Sequence, residues 1–512
     1  VGGFFARKSH KKKRAGAAWK MAAILISCRP PKDQHMAGDT FLHGVEVVEI
    51  DAGPRPISVV RTSVIGIVGT APDADPAVFP LNTPVLVAGS RATAAKLDTA
   101  GQGRGTLPDA MDSIFDQAGA VVIVVRVEEG ADDKATLANV LGGVDANTGQ
   151  YLGVQAFLGA ESVVGFAPRI LIAPGFTHQR TAGGVVSLTG AQGSGYTDGT
   201  YDLTVTGGTG GSGAAAKATV SGGKVTARTI TNPGSGYTVA PTFALPAGAG
   251  AGTGATFVAT LGTVGNAVVA ELIGIAERMR AVIVADGPNT NDADAIAYAG
   301  DFGSKRVYVV DPNAIKTDSA GNLVNAYSSA AVAGLIAKTD NDLGFWWSPS
   351  NQTINGIQGT ARPVDFKLGD PNSRANLLNE KNVATIIRQN GFRLWGNRTL
   401  SSDPKWKFLC VVRTADIIND SLAAAHLWAV DRAIGKQYVT EVVEGVNAFL
   451  RSLVTRGAIL GGRCWADPDL NTEDQIADGH IWFDFDFTPS FPAEHVTFRS
   501  QMVNDYISTI FN

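Results

Sequence analysis

Cysteine is nearly absent from the sequence. Cys28, Cys410 and Cys464 lie far apart in 512 residues and form no C-x-x-C pair. That spacing argues against a disulfide framework or a zinc site and fits a reducing compartment. An excess of charge is missing too. The formal net charge is −4, which gives no electrostatic ground for binding nucleic acid or an anionic membrane. No stretch approaches the ~18 consecutive apolar residues of a membrane span. The seven histidines contain no H-E-x-x-H and no pair at i, i+4. The nucleophile elbow G-x-S-x-G and the phosphate-binding loop G-x-x-x-x-G-K-[ST] are both absent. Catalytic, cofactor-binding and metal-ligating residues are therefore expected to be none.

What is present is length, apolar residues and glycine. A chain of 512 residues is too long for one ordinary core, and 45% hydrophobic residues can fill the two to four cores expected. Many of the 60 glycines fall between positions 183 and 265, which marks a separate module there. Residues 1–35 carry a basic run from Lys8 to Arg14 and an apolar patch, Ala22 to Ile26. Leu25 to Cys28 looks like a lipoprotein cleavage box, but the patch is shorter than the ~7–15 residues of a signal core. The expectation is a disordered upstream extension, with ordered sequence starting after Met36.

From Phe41 the chain reads as alternating structure. FLHGVEVVEI is strand-like, DAGPRPI is a break, and SVVRTSVIGIVGTAP is a buried strand run. LPDAMDSIFDQAG predicts a short helix with Met111, Ile114 and Phe115 on one face, stopped by Gly119. AVVIVVRV is a continuous apolar run, the mark of a strand covered on both faces. PRILIAPGF, AVIVADGPN and KRVYVVDPN repeat the strand pattern. NAVVAELIGIAERMR and DADAIAYAGDFG repeat the helical one. Strand and helix in alternation predict a parallel sheet with right-handed crossovers. The helix expected after PRILIAPGF is delayed to residue 266, so the glycine-rich block reads as a domain inserted into a βα loop.

That block repeats itself. GSGYT occurs at 193–197 and again at 234–238, each time followed by a Gly/Ala-rich stretch and a short strand, which predicts a small duplicated all-β module. Gly208, Gly210 and Gly213 match G-x-G-x-x-G, but no helix of useful length follows and no acidic residue occurs between Asp202 and Glu271. A glycine-rich turn is expected there, not a dinucleotide site. Asp484 and Asp486 share one face of a strand, yet Phe483, Phe485 and Phe487 alternate with them and Ile481 falls in the same register. A half-buried strand explains this better than an acid/base pair. Arg388, Arg393 and Arg398, with Phe392 and Trp395 between them, read as sheet and turn packing rather than a stacking platform for nucleic acid.

Four stretches carry a resemblance to the tail sheath proteins of contractile phage tails and of R-type bacteriocin particles. They are FLHGVEVVEIDAGPRPISVVRTSVIGIVGTAP, RAVIVADGPNT, the pair GFWWSPSNQTINGIQGTARPVDF and NGFRLWGNRTLSSDP, and DIINDSLAAAHLWAVDRAIGKQYVTEVVEGVNAFLRSLVTRGAI with the final strands. The GSGYT insert and residues 1–35 lie outside the family pattern. The resemblance implies an α/β multi-domain fold. A central parallel-sheet domain of subtilisin-like topology would be joined to an α+β C-terminal domain with exchanged terminal arms, and the all-β glycine-rich insert would be added to it. The domains expected are 36–62 (arm and first strand), 63–182 and 266–384 (α/β), 385–488 (C-terminal) and 489–512 (arm), with the insert read from the sequence itself at 183–265.

The implied function is structural. Subunits would stack as six-membered rings around a tail tube, with baseplate and tail-terminator partners, and contract to drive the tube through a cell envelope. The protein would reside in the virion tail after assembly in the host cytoplasm. Direct nucleic-acid contact and membrane insertion are not expected. The resemblance implies that Phe41, Val45 and Val47 at one end, and Val496, Phe498 and Met502 at the other, leave their own subunit. Ile481, Phe483, Phe485 and Phe487 would lie in the accepting sheet. The residues support such an arm on their own. IWFDFDFT reads as a strand, Pro489 and Pro492 stop it, and EHVTFRSQMV alternates again with no sequence neighbour to pair with. Arg432, Lys436 and Arg451, on or beside an amphipathic helix over 438–457, would face the tube. Two rivals remain: an α/β hydrolase, which needs a nucleophile paired with His, and a surface protein that binds glycans through the insert.

Overall fold

The computed structural model describes residues 56–318 and 321–511. Phe41, Val45 and Val47, with the N-terminal arm up to residue 55 and the basic leader, lie outside the described residues.

The central domain forms where the apolar runs predict strands. In chain order it contains β1 (Val64–Thr70), β2 (Val85–Ala88), α1 (Leu107–Phe115), β3 (Val121–Val127) and β4 (Ile170–Ile172). The main strands of the insert follow: β5 (Thr181–Thr189), β6 (Ser212–Ser221), β7 (Lys224–Ser235) and β8 (Val258–Val264). The domain resumes with α2 (Ala267–Met279), β9 (Val282–Asp286), α3 (Asp292–Gly300), β10 (Val307–Val310), α4 (Ser328–Asp342), β11 (Val383–Arg388) and β12 (Phe392–Trp395). These strands make one eight-stranded sheet in the order β2-β3-β1-β4-β9-β10-β11-β12. The six inner strands are parallel, and an antiparallel strand closes each edge. Helices α1 and α4 cover one face, and α2 and α3 the other. Inner strands covered on both faces must be apolar on both, which is why VIGIVGT is buried throughout.

Two expectations need correction here. α1 ends at Phe115 with its cap at Asp116, so Gly119 lies beyond the stop. The sheet also runs on past residue 384 through β11 and β12, so the central domain continues beyond the boundary drawn from sequence. Strand β12 is the hairpin partner of β11, in the register Thr385↔Trp395 to Arg388↔Phe392. Hydrogen bonding, not the change in residue pattern, assigns it to the large sheet. Helix α4 has no sequence forecast at all. It is buried nearly all round by small residues, and a Cβ on Gly334 would come within 2.7 Å of the Ile114 carbonyl oxygen, so α1 and α4 approach closely.

The insert leaves the core through a two-stranded stem, β5 against β8, in the register Val185↔Leu261 and Gly184↔Gly262. Its two GSGYT copies complete each other. Gln192 and Ser194 pair with Ala255 and Thr253, and Pro233 and Ser235 pair with Ala214 and Ser212. The Tyr196 hydroxyl accepts from the Ala255 N–H at 3.2 Å, and the Tyr237 hydroxyl accepts from the Ala214 N–H at 3.3 Å. Each copy thus supplies the partner strand of the other around one shared core. The G-x-G-x-x-G run leads into strand β6 rather than a helix.

The C-terminal domain comprises α5 (Leu409–Ala425), α6 (Lys436–Thr455), β13 (Ile459–Ala466) and β14 (Phe483–Pro489). Val442, Val446, Phe449, Leu450 and Leu453 on one face of α6 are buried against the β13–β14 pair. Residues 56–63 have no regular secondary structure, and Ile57, Val59 and Val60 pack on the core of this domain.

Candidate assembly interface

The seam between central and C-terminal domains is ionic. Arg413 of α5 forks onto Asp340 of α4 at 2.7 and 2.5 Å and also donates to the Thr62 carbonyl at 3.1 Å, with both charged side chains almost fully buried. One turn on, Asp416 takes Arg306, and Asp420 takes Arg169 and Arg280 at 2.5 and 2.7 Å. Burial raises the Asp416 carboxyl to about 6 and Arg306 opposes that rise, so it is ionised at neutral pH. Charges this buried need fixed partners, so α5 is held to the sheet domain in one orientation.

Beyond the seam lies the β13–β14 pair, a two-stranded sheet. Its register places Cys464 opposite Phe485, Gly462 opposite Phe487 and Ala466 opposite Phe483. The three phenylalanines pack on the C-terminal core, as the alternation predicts. Ile481 falls short of the strand, which begins at Phe483, so it is not part of the pair. Two asparagine amides clamp the main chain, one in β13 and one just before β14. Asn447 of α6 accepts from the Cys464 N–H at 2.8 Å and donates to its carbonyl at 3.0 Å, and Asn471 does the same to Trp482 at 2.7 and 2.8 Å. Elsewhere both outer edges lack a strand partner among the described residues.

After β14 the chain leaves the domain. Ser490 still bonds to the Ala458 and Gly457 carbonyls, Phe491 meets Phe408 edge-on at 6.4 Å, and Glu494 binds Arg398 at 2.6 and 2.7 Å. Residues 490–503 take no regular secondary structure in the single chain, and 505–511 form a short 3₁₀ turn. Val496, Phe498 and Met502 are 63%, 92% and 95% exposed. The alternating segment thus forms no strand in the single chain. Three large apolar side chains of this segment are thus left open to water.

Arg432, Lys436 and Arg451 are exposed on or beside α6. Arg432 lies 4.9 Å over Trp428 and 3.7 Å from Glu441, while Arg451 sits 3.9 Å from Glu444. Asp486 is exposed and pairs with Arg463 at 3.1 Å, so it is a wet-face carboxylate. Arg393 donates to the Asn351 carbonyl at 2.6 Å and Arg388 lies over Phe392, both packing roles.

The hydrolase rival fares poorly. Ser329 gives its hydroxyl to buried Asp286 at 2.6 Å, with no histidine between them. His178 lies 5.6 Å from the Tyr327 ring, and His426, His480 and His495 bond to Leu422, Gln475 and Thr497 beside them in the chain. Among the described residues no group of three or more His, Cys, Asp or Glu could hold a metal, and no helix is long and apolar enough to cross a membrane.

These features define first a class: a multi-domain α/β structural subunit with an uncovered apolar tail beside a minimal sheet. Comparison makes this specific. Models of the phage tail sheath protein central domain, the phage tail sheath C-terminal domain and the tail sheath protein Gp18 domain III N-terminal region match residues 254–400, 401–503 and 62–127. The chain is 36% identical over 475 residues to a putative prophage major tail sheath protein of Pseudomonas aeruginosa (strain UCBPP-PA14), covering 92% of this chain and 99% of that protein. It is 31% identical over 479 residues to the tail sheath protein of Escherichia phage P2, covering 92% and 98%. The fold matches the helical sheath of the anti-feeding prophage in its contracted state, with a TM-score of 0.56 at 17% identity, covering 91% and 100%. The chain belongs to the contractile phage tail sheath family, whose members are structural proteins and not enzymes. Most of the insert lies in the stretch between the matched models, residues 128–253.

Sequence reasoning missed three groups of this site: the Arg413–Asp340 fork, the two asparagine clamps and the Glu494–Arg398 pair. Their partners lie from 11 to 96 residues apart, so no local spacing could reveal them.

Proposed function

We propose that this subunit polymerises as stacked six-membered rings around a tail tube, between baseplate and tail terminator, and shortens to push the tube through a cell envelope. Assembly takes place in the host cytoplasm, and the product is the tail of a virion. The parallel sheet, of subtilisin-like topology, serves here as a scaffold. The terminal arms cross to neighbours: Val496, Phe498 and Met502 add to the edge of a neighbouring β13–β14 pair, and Phe41, Val45 and Val47 make the N-terminal exchange. Strand addition combines main-chain hydrogen bonds with pockets for alternate side chains, and it tolerates relative movement of the joined bodies. Arg432, Lys436 and Arg451 face the tube, where half-solvated charges give contacts weak enough to release. The insert decorates the outer surface.

The observation that carries this reading is the tail. Phe498 and Met502 are almost fully exposed in the single chain. Negative-stain microscopy of the purified protein tests it. Long, ridged, hollow cylinders are expected, and discrete monomers at high concentration would overturn it.

A further inference from the structure

The uncovered tail does not begin where the last strand ends. Between Pro489 and Glu494 the chain is held at successive points. Ser490 bonds by N–H to the Ala458 carbonyl at 3.2 Å and by hydroxyl to the Gly457 carbonyl at 2.7 Å. Phe491 meets the ring of Phe408. Glu494 then takes the Arg398 fork on both oxygens, at 2.6 and 2.7 Å, with Lys407 at 3.4 Å. Past Glu494 the tail changes character. Thr497 bonds to His495, Ile507 to Asn504 and Thr509 to Tyr506, all within the tail itself. The pair is partly shielded, with Arg398 and Glu494 side chains 27% and 32% exposed.

The platform under Glu494 belongs to the body of the subunit. Arg398 follows β12 of the large sheet, and Lys407 and Phe408 lead into α5. The two segments are zipped together: Arg398 bridges Phe408, the Thr399 N–H donates to the Lys407 carbonyl at 2.8 Å, and the Leu409 N–H donates to the Asn397 carbonyl at 3.0 Å. The arginine is thus rooted in the sheet and the aromatic in the helix.

We propose that Glu494, held by Arg398 and Lys407, is a clasp that fixes the root of the C-terminal arm, so that the donated segment starts at His495 and leaves every subunit from the same point. This rests on the exchanged-arm reading and adds its positioning device. Geometry gives the clasp its purpose. Residues 495–511, fully extended at ~3.3 Å each, reach about 56 Å; released as far as Ser490, the arm gains residues 491–494 and about 13 Å of slack. A longer, unaimed arm finds its acceptor at lower effective concentration, so the clasp raises the strength of the link without touching the neighbour.

The test is a charge swap in the full chain, read by sedimentation of polymer against soluble subunit. Glu494→Arg and Arg398→Glu should each raise the critical concentration for polymerisation about fivefold, the scale of one charge-assisted pair. The double variant should return to within about twofold of the parent. The melting temperature of unpolymerised subunit should hold in all three, which a merely structural role would not allow. A truncation after Glu494 separates the two ideas. If the truncated chain polymerises like the parent, the exchanged arm falls and the clasp with it. If truncation abolishes polymer but Glu494→Arg assembles normally, or the swap fails to rescue, the clasp alone is wrong.

Discussion

Phe498→Ala should weaken polymerisation without weakening the fold. Phe498 is 92% exposed in the single chain, so its apolar surface contributes almost nothing to the subunit's own stability. Fully burying such a side chain is worth about 1.5–3 kcal/mol. The ordering cost of the arm is common to parent and variant and cancels in the comparison. Taking ~2 kcal/mol as the loss, the critical concentration should rise about thirtyfold, since each 1.4 kcal/mol is a factor of ten. Sedimentation of polymer against soluble subunit measures this directly, and the melting temperature of the monomer should stay within about 1 °C of the parent. Phe449→Ala is the contrasting control. That side chain is buried in the α6 core, and its truncation should destabilise the monomer by about 3–5 kcal/mol. The reasoning is refuted by a critical concentration within twofold of the parent, because the ring would then stay wet in the polymer. It is equally refuted by a drop of several degrees in monomer melting, because the tail would then pack on its own domain.

Arg413→Ala strands the Asp340 carboxylate in the domain seam, and chemical denaturation should show a loss of about 3–5 kcal/mol, largely recovered when Asp340 is replaced by Asn. Replacing residues 190–257 by a short turn that preserves the β5–β8 stem should leave assembly intact, since the insert keeps its own core; loss of cylinders would show that it does more than decorate. Asp286 is fully buried, and burial raises its carboxyl to about 6 although Ser329 donors oppose the rise. A folded pKa above the unfolded value means that the native state holds the extra proton. The contribution is therefore full below about 4 and is lost as pH rises through about 6. Asp286→Asn should remove this slope, so that the stability difference between parent and variant changes by on the order of 1–3 kcal/mol across that window.

Much of the fold is legible in the sequence because it rests on local pattern. VVIVVRV can be covered only on both faces, and the α6 apolar positions fall at helical spacing. The repeated GSGYT announces a duplicated module. The parts that escape depend on distant partners. Helix α4 is buried all round by Ala330, Ala331, Ala333 and Gly334, so it carries no amphipathic stripe to detect. β12 belongs to the large sheet through its ladder with β11, which composition does not encode. The same holds for the site. The phenylalanines of β14 and the alternation after Pro492 could be read directly. The clasp at Glu494 joins residues 96 apart, and the asparagine clamps hold main chain with side chains, which no strand rule anticipates.

Electron cryomicroscopy of the assembled sheath, at a resolution that traces the main chain, tests the central claim most directly. Residues 495–511 should leave their subunit after Glu494 and run as a strand along an open edge of a neighbour's β13–β14 pair, with Phe498 buried. Density showing the tail folded back on its own subunit, or still unpaired in the polymer, would contradict it.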